Sequence, residues 1–191
     1  MSVRGASTRM SYDEYRARET EAPQKHEYLR GDVFAMAGGT PEHARLQSRL
    51  AIELGRLLEG RPCEPFSSDL RVRVLETDLS TYPDLTMVCG KLETAPDDAD
   101  AVVNPVVIVE VLSDSSEAYD RGEKFAHYRH IPALREYLLV SPRTRRLEVF
   151  RRTGGRSWEY ADRGPGETMR LESLDIAIEV DAVYSTQLAT G

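Results

Sequence analysis

The stretch "NPVVIVEVLSDSS", residues 104–116, sets one acid, Glu110, among Val106, Val107, Ile108, Val109, Val111 and Leu112. A short apolar run rich in β-branched residues, closed by Ser-Asp-Ser-Ser, reads as a strand buried on both faces. Strand alternation puts Val106, Ile108, Glu110 and Leu112 on one face, with the acid near the C-terminal end. An unpaired carboxylate there costs several kcal/mol or takes up a proton. A basic partner, protonation or a metal ion would each relieve it.

The segments around this strand alternate in type. Ser11 with Glu14 forms a capping-box signature at the start of a short helix. "HEYLRGDVFAMAGG" reads as two short strands broken at Arg30-Gly31-Asp32, a hairpin. Gly38-Gly39-Thr40-Pro41 opens a helix whose Leu46, Leu50, Leu54, Leu57 and Leu58 follow helical spacing to about Gly60. Short strands follow near Cys63–Phe66, Asp69–Leu75 and Asp84–Cys89, and "LETAPDDADAV" reads as an acidic loop. Past the buried strand, a helix is expected from about Ser116 to His130, stopped by Pro132. "REYLLVSP" and "RRLEVFRR" read as strands joined near Pro142, with further short strands at Trp158–Tyr160, Met169–Leu171 and Ile176–Val180. The layout is α/β, a mixed central sheet flanked by helices with an N-terminal β-hairpin. We read one domain over 11–191 behind a loose segment over 1–10.

Composition narrows the setting. With 40% hydrophobic and 30% charged residues, the chain of 191 residues has the make-up of a folded globular protein. No apolar run approaches the ~20 residues that span a bilayer, and the opening residues lack an apolar signal core. Cys63 and Cys89 show no CxxC spacing, so reduced thiols in a cytoplasmic protein are expected. The net charge of −7 supplies no global attraction to nucleic acid, though it leaves room for a local basic face.

A second acid has a similar address. Asp84 follows Tyr82-Pro83 and opens the apolar run Leu85–Val88, and Pro83 suits a strand's first position. Either acid alone fits an ion pair or a turn. Two acids on separate apolar strands make a divalent-ion site competitive, because Mg²⁺ commonly uses one or two carboxylates with water and phosphate oxygens. No His or Cys cluster suggests zinc.

At these residues the sequence resembles the PD-(D/E)XK nuclease superfamily and, more closely, the Uma-two family, a group ascribed to the restriction endonucleases. The matching blocks are "SYDEY", "HEYLRGDVFAMAGGTPEH", "SDLRV", "TYPDL", "NPVVIVEVLSDSSEAYDRGEKFAHYRHIP" and "REYLLVSP". The resemblance implies a restriction-endonuclease-like fold and Mg²⁺-dependent cleavage of DNA phosphodiester bonds, with Mn²⁺ as a substitute. It matches Asp84 to the Pro-Asp acid and Glu110 to the second acid. Leu112 stands where the superfamily places lysine, and Lys124 on the following helix takes that role in the Uma-two pattern. Glu27 matches an upstream acid that helps hold metal in many such nucleases.

Other candidates surround this set. Asp120 and Tyr128 flank Lys124 at four-residue spacing, so the bland reading is an i,i+4 pair and a packing tyrosine. His43 shares a helical face with Leu46 and Leu50, as a core or cap residue would, and also sits where a helix N-terminus meets phosphate. Asp69 is either a further ligand or a structural acid. Arg143, Arg145, Arg146, Arg151 and Arg152 form the densest basic cluster, a solvated hairpin or a DNA contact.

The sequence therefore reads as a Mg²⁺-dependent endonuclease acting on DNA, a homodimer if it cuts duplex. The alternative is a nuclease-fold nucleic-acid-binding or regulatory module without turnover. A third reading is an interaction protein in which Glu110 and Lys124 form a buried ion pair.

Overall fold

Val107–Val111 is a strand with all five residues buried, inside a six-stranded sheet. The computed structural model describes residues 9–36 and 38–185. In chain order the elements are α1 (Tyr12–Glu21), β1 (His26–Leu29), β2 (Asp32–Ala35), α2 (Pro41–Leu58), β3 (Cys63–Ser67), β4 (Arg71–Val74), β5 (Leu79–Thr81) and β6 (Leu85–Cys89). There follow β7 (Thr94–Ala95), β8 (Asp98–Val102), β9 (Val107–Val111), α3 (Glu117–Tyr119), a π-turn (Asp120–Lys124), α4 (Phe125–Tyr128) and β10 (Glu136–Val140). The chain continues through β11 (Leu147–Gly154), β12 (Ser157–Arg163), β13 (Thr168–Leu171), β14 (Ile176–Glu179) and α5 (Val180–Tyr184).

The central sheet has the order β12-β11-β10-β9-β6-β3, and a second sheet has the order β2-β1-β5-β4-β8-β7. Only β9 and β10 run parallel in the central sheet, so it is mixed as expected. Alternation along β9 divides the core. Val107, Val109 and Val111 pack with Leu46, Leu50 and Leu54 of α2. Ile108 and Leu112 face the other way, against Tyr128, Tyr137 and Val72. Glu110 shares that second face.

Local signals form the elements they imply. The Ser11 N–H donates to Glu14 Oε2 at 2.8 Å and the Ser11 side chain accepts from the Glu14 N–H, which starts α1. The hairpin turns through Arg30 at φ 50° and Gly31 at φ 95°, the left-handed pair that a tight two-residue turn needs. Thr40 caps α2, accepting from the His43 N–H at 3.2 Å, and Pro41 occupies the first turn.

Four expectations change. The segment read as an acidic loop contains β7 and β8, because Asp98 turns inward to Arg71 at 3.0 Å and to the Tyr12 hydroxyl at 2.7 Å. The three-residue β5, absent from the sequence reading, fills the second sheet between β1 and β4. The helix expected over 116–130 breaks into α3, the π-turn and α4, and the wide turn buries both Asp120 and Lys124. Cys63 and Cys89 are not free thiols. They face one another in the β3–β6 register with Cα atoms 4.0 Å apart and form a disulfide. Cross-strand neighbours of this kind leave no spacing signature in the chain. The disulfide removes the thiol argument for a cytoplasmic setting. Among the described residues no helix is long and apolar enough to cross a membrane. Residues 1–8 of the segment expected to be loose lie outside the described residues. Met10 donates its N–H to Gly31 O at 2.9 Å and packs on the Tyr12–Tyr15–Tyr28 cluster.

Candidate active site

The antiparallel β6–β9 register pairs Leu85 with Val109, which brings Asp84, one residue before β6, beside Glu110. The Asp84 N–H points at Glu110 Oε2 over 3.4 Å, and the Val111 N–H donates to Asp84 Oδ2 at 2.7 Å. From α2, Gln47 Nε2 donates to the Asp84 carbonyl at 2.9 Å and His43 Nε2 lies 3.2 Å from Asp84 Oδ2. The hydrogen bond to Asp84 raises the His43 pKa against the opposing effect of burial. Gly39 makes room for this ring, since a Cβ there would stand 2.8 Å from His43 Nδ1.

Lys124 reaches Glu110 from the π-turn. Its Nζ lies 2.9 Å from Glu110 Oε1, 3.2 Å from Glu27 Oε1 and 3.6 Å from Asp120 Oδ1. Burial works against its charge, but the carboxylates of Glu110, Glu27 and Asp120 outweigh it and hold its pKa well above the ordinary lysine value. The Tyr128 hydroxyl donates to Glu110 Oε1 at 2.9 Å. Burial pushes the Glu110 carboxyl up to about 8, with Lys124 pulling the other way and Asp120 and Asp84 adding to the rise. Asp120 is also raised by burial and accepts from the Ser116 hydroxyl at 2.6 Å. Glu27, on β1 of the second sheet, accepts from the Thr81 hydroxyl, and its charge adds to the burial that raises the Tyr119 pKa.

The structure thus gathers Asp84, Glu110, Lys124, Glu27, His43, Asp120 and Tyr128. It does not bring Asp69 into the set, whose carboxylate pairs with Lys25 at 2.6 Å and bonds Ser67. Glu27 meets the cluster through Lys124, which stands between it and Glu110. Leu112, at the superfamily's lysine position, is buried in the core on the Glu110 face. Gln47, Thr81, Ser116 and Tyr119 are additions. Gln47 was legible as the residue four after His43 on the same helical face. Thr81 depends on the unread β5.

Charge and donor chemistry bear on a metal ion. Four carboxyl groups face one ammonium and one imidazole, an excess of negative charge when ionised. Among the described residues no three His, Cys, Asp or Glu side chains are grouped to hold a metal by themselves. Asp84 and Glu110 offer a two-carboxylate, all-oxygen donor set. That suits Mg²⁺, which completes its shell with water and phosphate oxygens.

Residues 12–182 match the family described as "Uma2: Putative restriction endonuclease". The chain belongs to the Uma2 family. Two Synechocystis relatives are uncharacterized proteins. One, slr1290, is 33% identical over 92% of each chain. The other, sll1609, is 36% identical over 76% of this chain and 82% of its own. The Uma2 fold is shared with the crystal structure of "a putative nuclease belonging to DUF820" from Anabaena variabilis, at TM-score 0.71 and 17% identity over 92% of this chain and 97% of that one. The chain thus belongs to a family described as restriction endonucleases and shares the fold of the Anabaena protein.

Proposed function

We propose that this Uma2 protein is a Mg²⁺-dependent endonuclease that hydrolyses phosphodiester bonds in DNA, with Mn²⁺ able to substitute. The observation that carries the reading is the reciprocal hold between Asp84 and Glu110 with the Lys124 ammonium on the same carboxylate. Asp84 and Glu110 would hold the ion, which when bound polarises the scissile phosphate and lowers the pKa of attacking water. The backbone N–H of Val111 fixes the Asp84 carboxylate. His43 and Gln47 hold Asp84 from α2, one at its side chain and one at its backbone. Lys124 places positive charge where a phosphoryl oxygen gains negative charge, and Glu27 and Asp120 keep it protonated. Cutting both strands of a duplex needs two such sites, so the reading expects a symmetric homodimer.

The experiment is cleavage of plasmid and oligonucleotide DNA with Mg²⁺ or Mn²⁺ by the wild type and by Asp84→Asn, Glu110→Gln and Lys124→Met. Metal-dependent cutting by the wild type, lost in the two acid variants, supports the reading, and undiminished cutting by both overturns it. A nuclease-fold nucleic-acid-binding module without turnover draws on one observation: Lys124 is engaged by three carboxylates at once. DNA binding with no cleavage under any divalent ion would favour that module.

A further inference from the structure

The arginine cluster divides between the two ends of the central sheet. β10 runs parallel to β9 with Val140 opposite Val111, so both strands end where Glu110 lies. The Leu112 N–H donates to Val140 O at 2.9 Å. The chain leaving β10, Ser141–Arg146, therefore turns beside the loop leaving β9. There the Arg143 guanidinium meets the Asp114 carboxylate, four residues beyond Glu110. Arg151 is placed at the opposite end, opposite Glu136 in the β10–β11 register. Arg151 is spent on Glu136 and the Arg170 carbonyl, and Arg152 on the carbonyls of Leu134, Ile131 and Arg129.

The site-end turn is tied by hydrogen bonds and its cations are exposed. Ser141 Oγ accepts from the N–H groups of Arg143 and Thr144 at 3.3 and 3.1 Å. The Tyr184 hydroxyl lies 2.8 Å from the carbonyls of both Ser141 and Arg146. The side chains of Arg143, Arg145 and Arg146 are 63%, 50% and 51% exposed. Their partners Asp114, Asp181 and Asp162 are exposed as well, and ion pairs between such groups are weak and exchangeable. Arg45 and Arg49 of α2, the helix that carries His43, reach Ser185 next to Tyr184 and continue the arc.

We propose that the Ser141–Arg146 turn is the surface on which the phosphate backbone of duplex DNA lies as it crosses the Asp84–Glu110 site. This rests on the nuclease reading of that site. The partner's chemistry follows from the residues. Three exposed guanidiniums on one hydrogen-bonded turn can each pair with a phosphate oxygen, and a polyanion gains by displacing three separate aspartates, releasing its own counterions as it does so. The arc stays near neutral until DNA arrives, which fits a chain of net charge −7.

The test measures binding of a labelled duplex in the Asp84→Asn background, across a range of NaCl concentrations, with Mg²⁺ present. The Arg143→Ala/Arg145→Ala/Arg146→Ala variant should raise Kd at least tenfold and flatten the plot of log K against log salt by roughly 2–3, at about 0.9 per lost phosphate contact. A charge-matched control, Arg56→Ala/Arg61→Ala/Arg170→Ala, should leave affinity and slope unchanged. Arg143→Glu alone provides a second variant that leaves the turn's hydrogen bonds intact. Affinity and slope equal to the parent in both the triple and Arg143→Glu variants overturn the surface alone when the wild type still cleaves DNA. Absence of duplex binding and of cleavage by the wild type brings down this surface and the nuclease reading together.

Discussion

Asp84 and Glu110 are each tied to the other's strand. The Val111 N–H donates to Asp84 Oδ2 at 2.7 Å while the Asp84 N–H points at Glu110 Oε2 over 3.4 Å. The two carboxylates are therefore fixed by sheet register, and their orientation does not depend on a bound ion. Asp84→Ala leaves the Val111 N–H without its acceptor, at a cost of about 1–3 kcal/mol. Asp84→Asn keeps an oxygen in the same place. Urea unfolding should find the Ala variant less stable than the Asn variant by about that amount, while both lose cleavage. Equal stabilities would mean that the Val111 bond contributes nothing to the fold.

Lys124 stands among three carboxyl groups, those of Glu110 and Asp120 buried and that of Glu27 half-buried. Lys124→Met leaves them uncompensated and should destabilise the fold by about 3 kcal/mol near pH 8. The pH dependence has a definite sign. Lys124 has a raised pKa, so its contribution is fully present below the ordinary lysine value and constant through neutral pH. Glu110 stands at about 8 even with the lysine in place, and Asp120 is also raised. A carboxyl raised in the fold binds a proton that the unfolded chain has lost, so stability falls as pH rises between the ordinary value and the raised one. Without the lysine these carboxyls rise further, so the fall continues to higher pH. Unfolding experiments from pH 6 to 10 should find the gap between wild type and Lys124→Met widening as pH rises past about 8, and a constant gap would contradict the geometry.

Gly39 supports the site by having no side chain. An added Cβ would meet His43 Nδ1 at 2.8 Å and Cγ at 3.0 Å, so the ring must leave its place beside Asp84. Gly39→Ala should lower Mg²⁺-stimulated cleavage by about 10–100-fold, the usual effect of losing a group that orients a metal ligand. His43→Ala combined with Gly39→Ala should be no worse than His43→Ala alone, because the two act through one imidazole. Additive losses in the double variant would place the effect elsewhere.

The parts of this protein legible in its sequence are those set by neighbours along the chain. The face of Glu110 follows from strand alternation, and the common side of Lys124, Asp120 and Tyr128 from helical spacing. The leucines of α2 and the Ser11 capping box are equally local. What could not be read depends on register between distant strands. Asp98 looked like a loop acid, and only the β4–β8 pairing shows Arg71 waiting for it. Thr81 holds Glu27 from a strand too short to carry a pattern. The π-turn adds one residue to a helical turn, which has no compositional mark, yet it brings Lys124 to Glu110.

The Cys63–Cys89 bridge is the clearest case of such non-local information, and it makes a measurable claim. It ties the edge strand β3 to β6, the strand that begins directly after Asp84, across a sequence separation of 26. Closing a loop of that length in the unfolded chain is worth about 3 kcal/mol in the chain-entropy account. Reduction, or the Cys63→Ser/Cys89→Ser variant, should lower unfolding stability by about that amount. Cleavage at 25 °C should persist, because Asp84 is held at the opposite end of β6 by Val111, His43 and Gln47. Thiol titration of the denatured chain, with and without reductant, establishes the oxidised state first. Equal stability of the oxidised and reduced protein would mean that β3 stays on β6 through its register and packing alone.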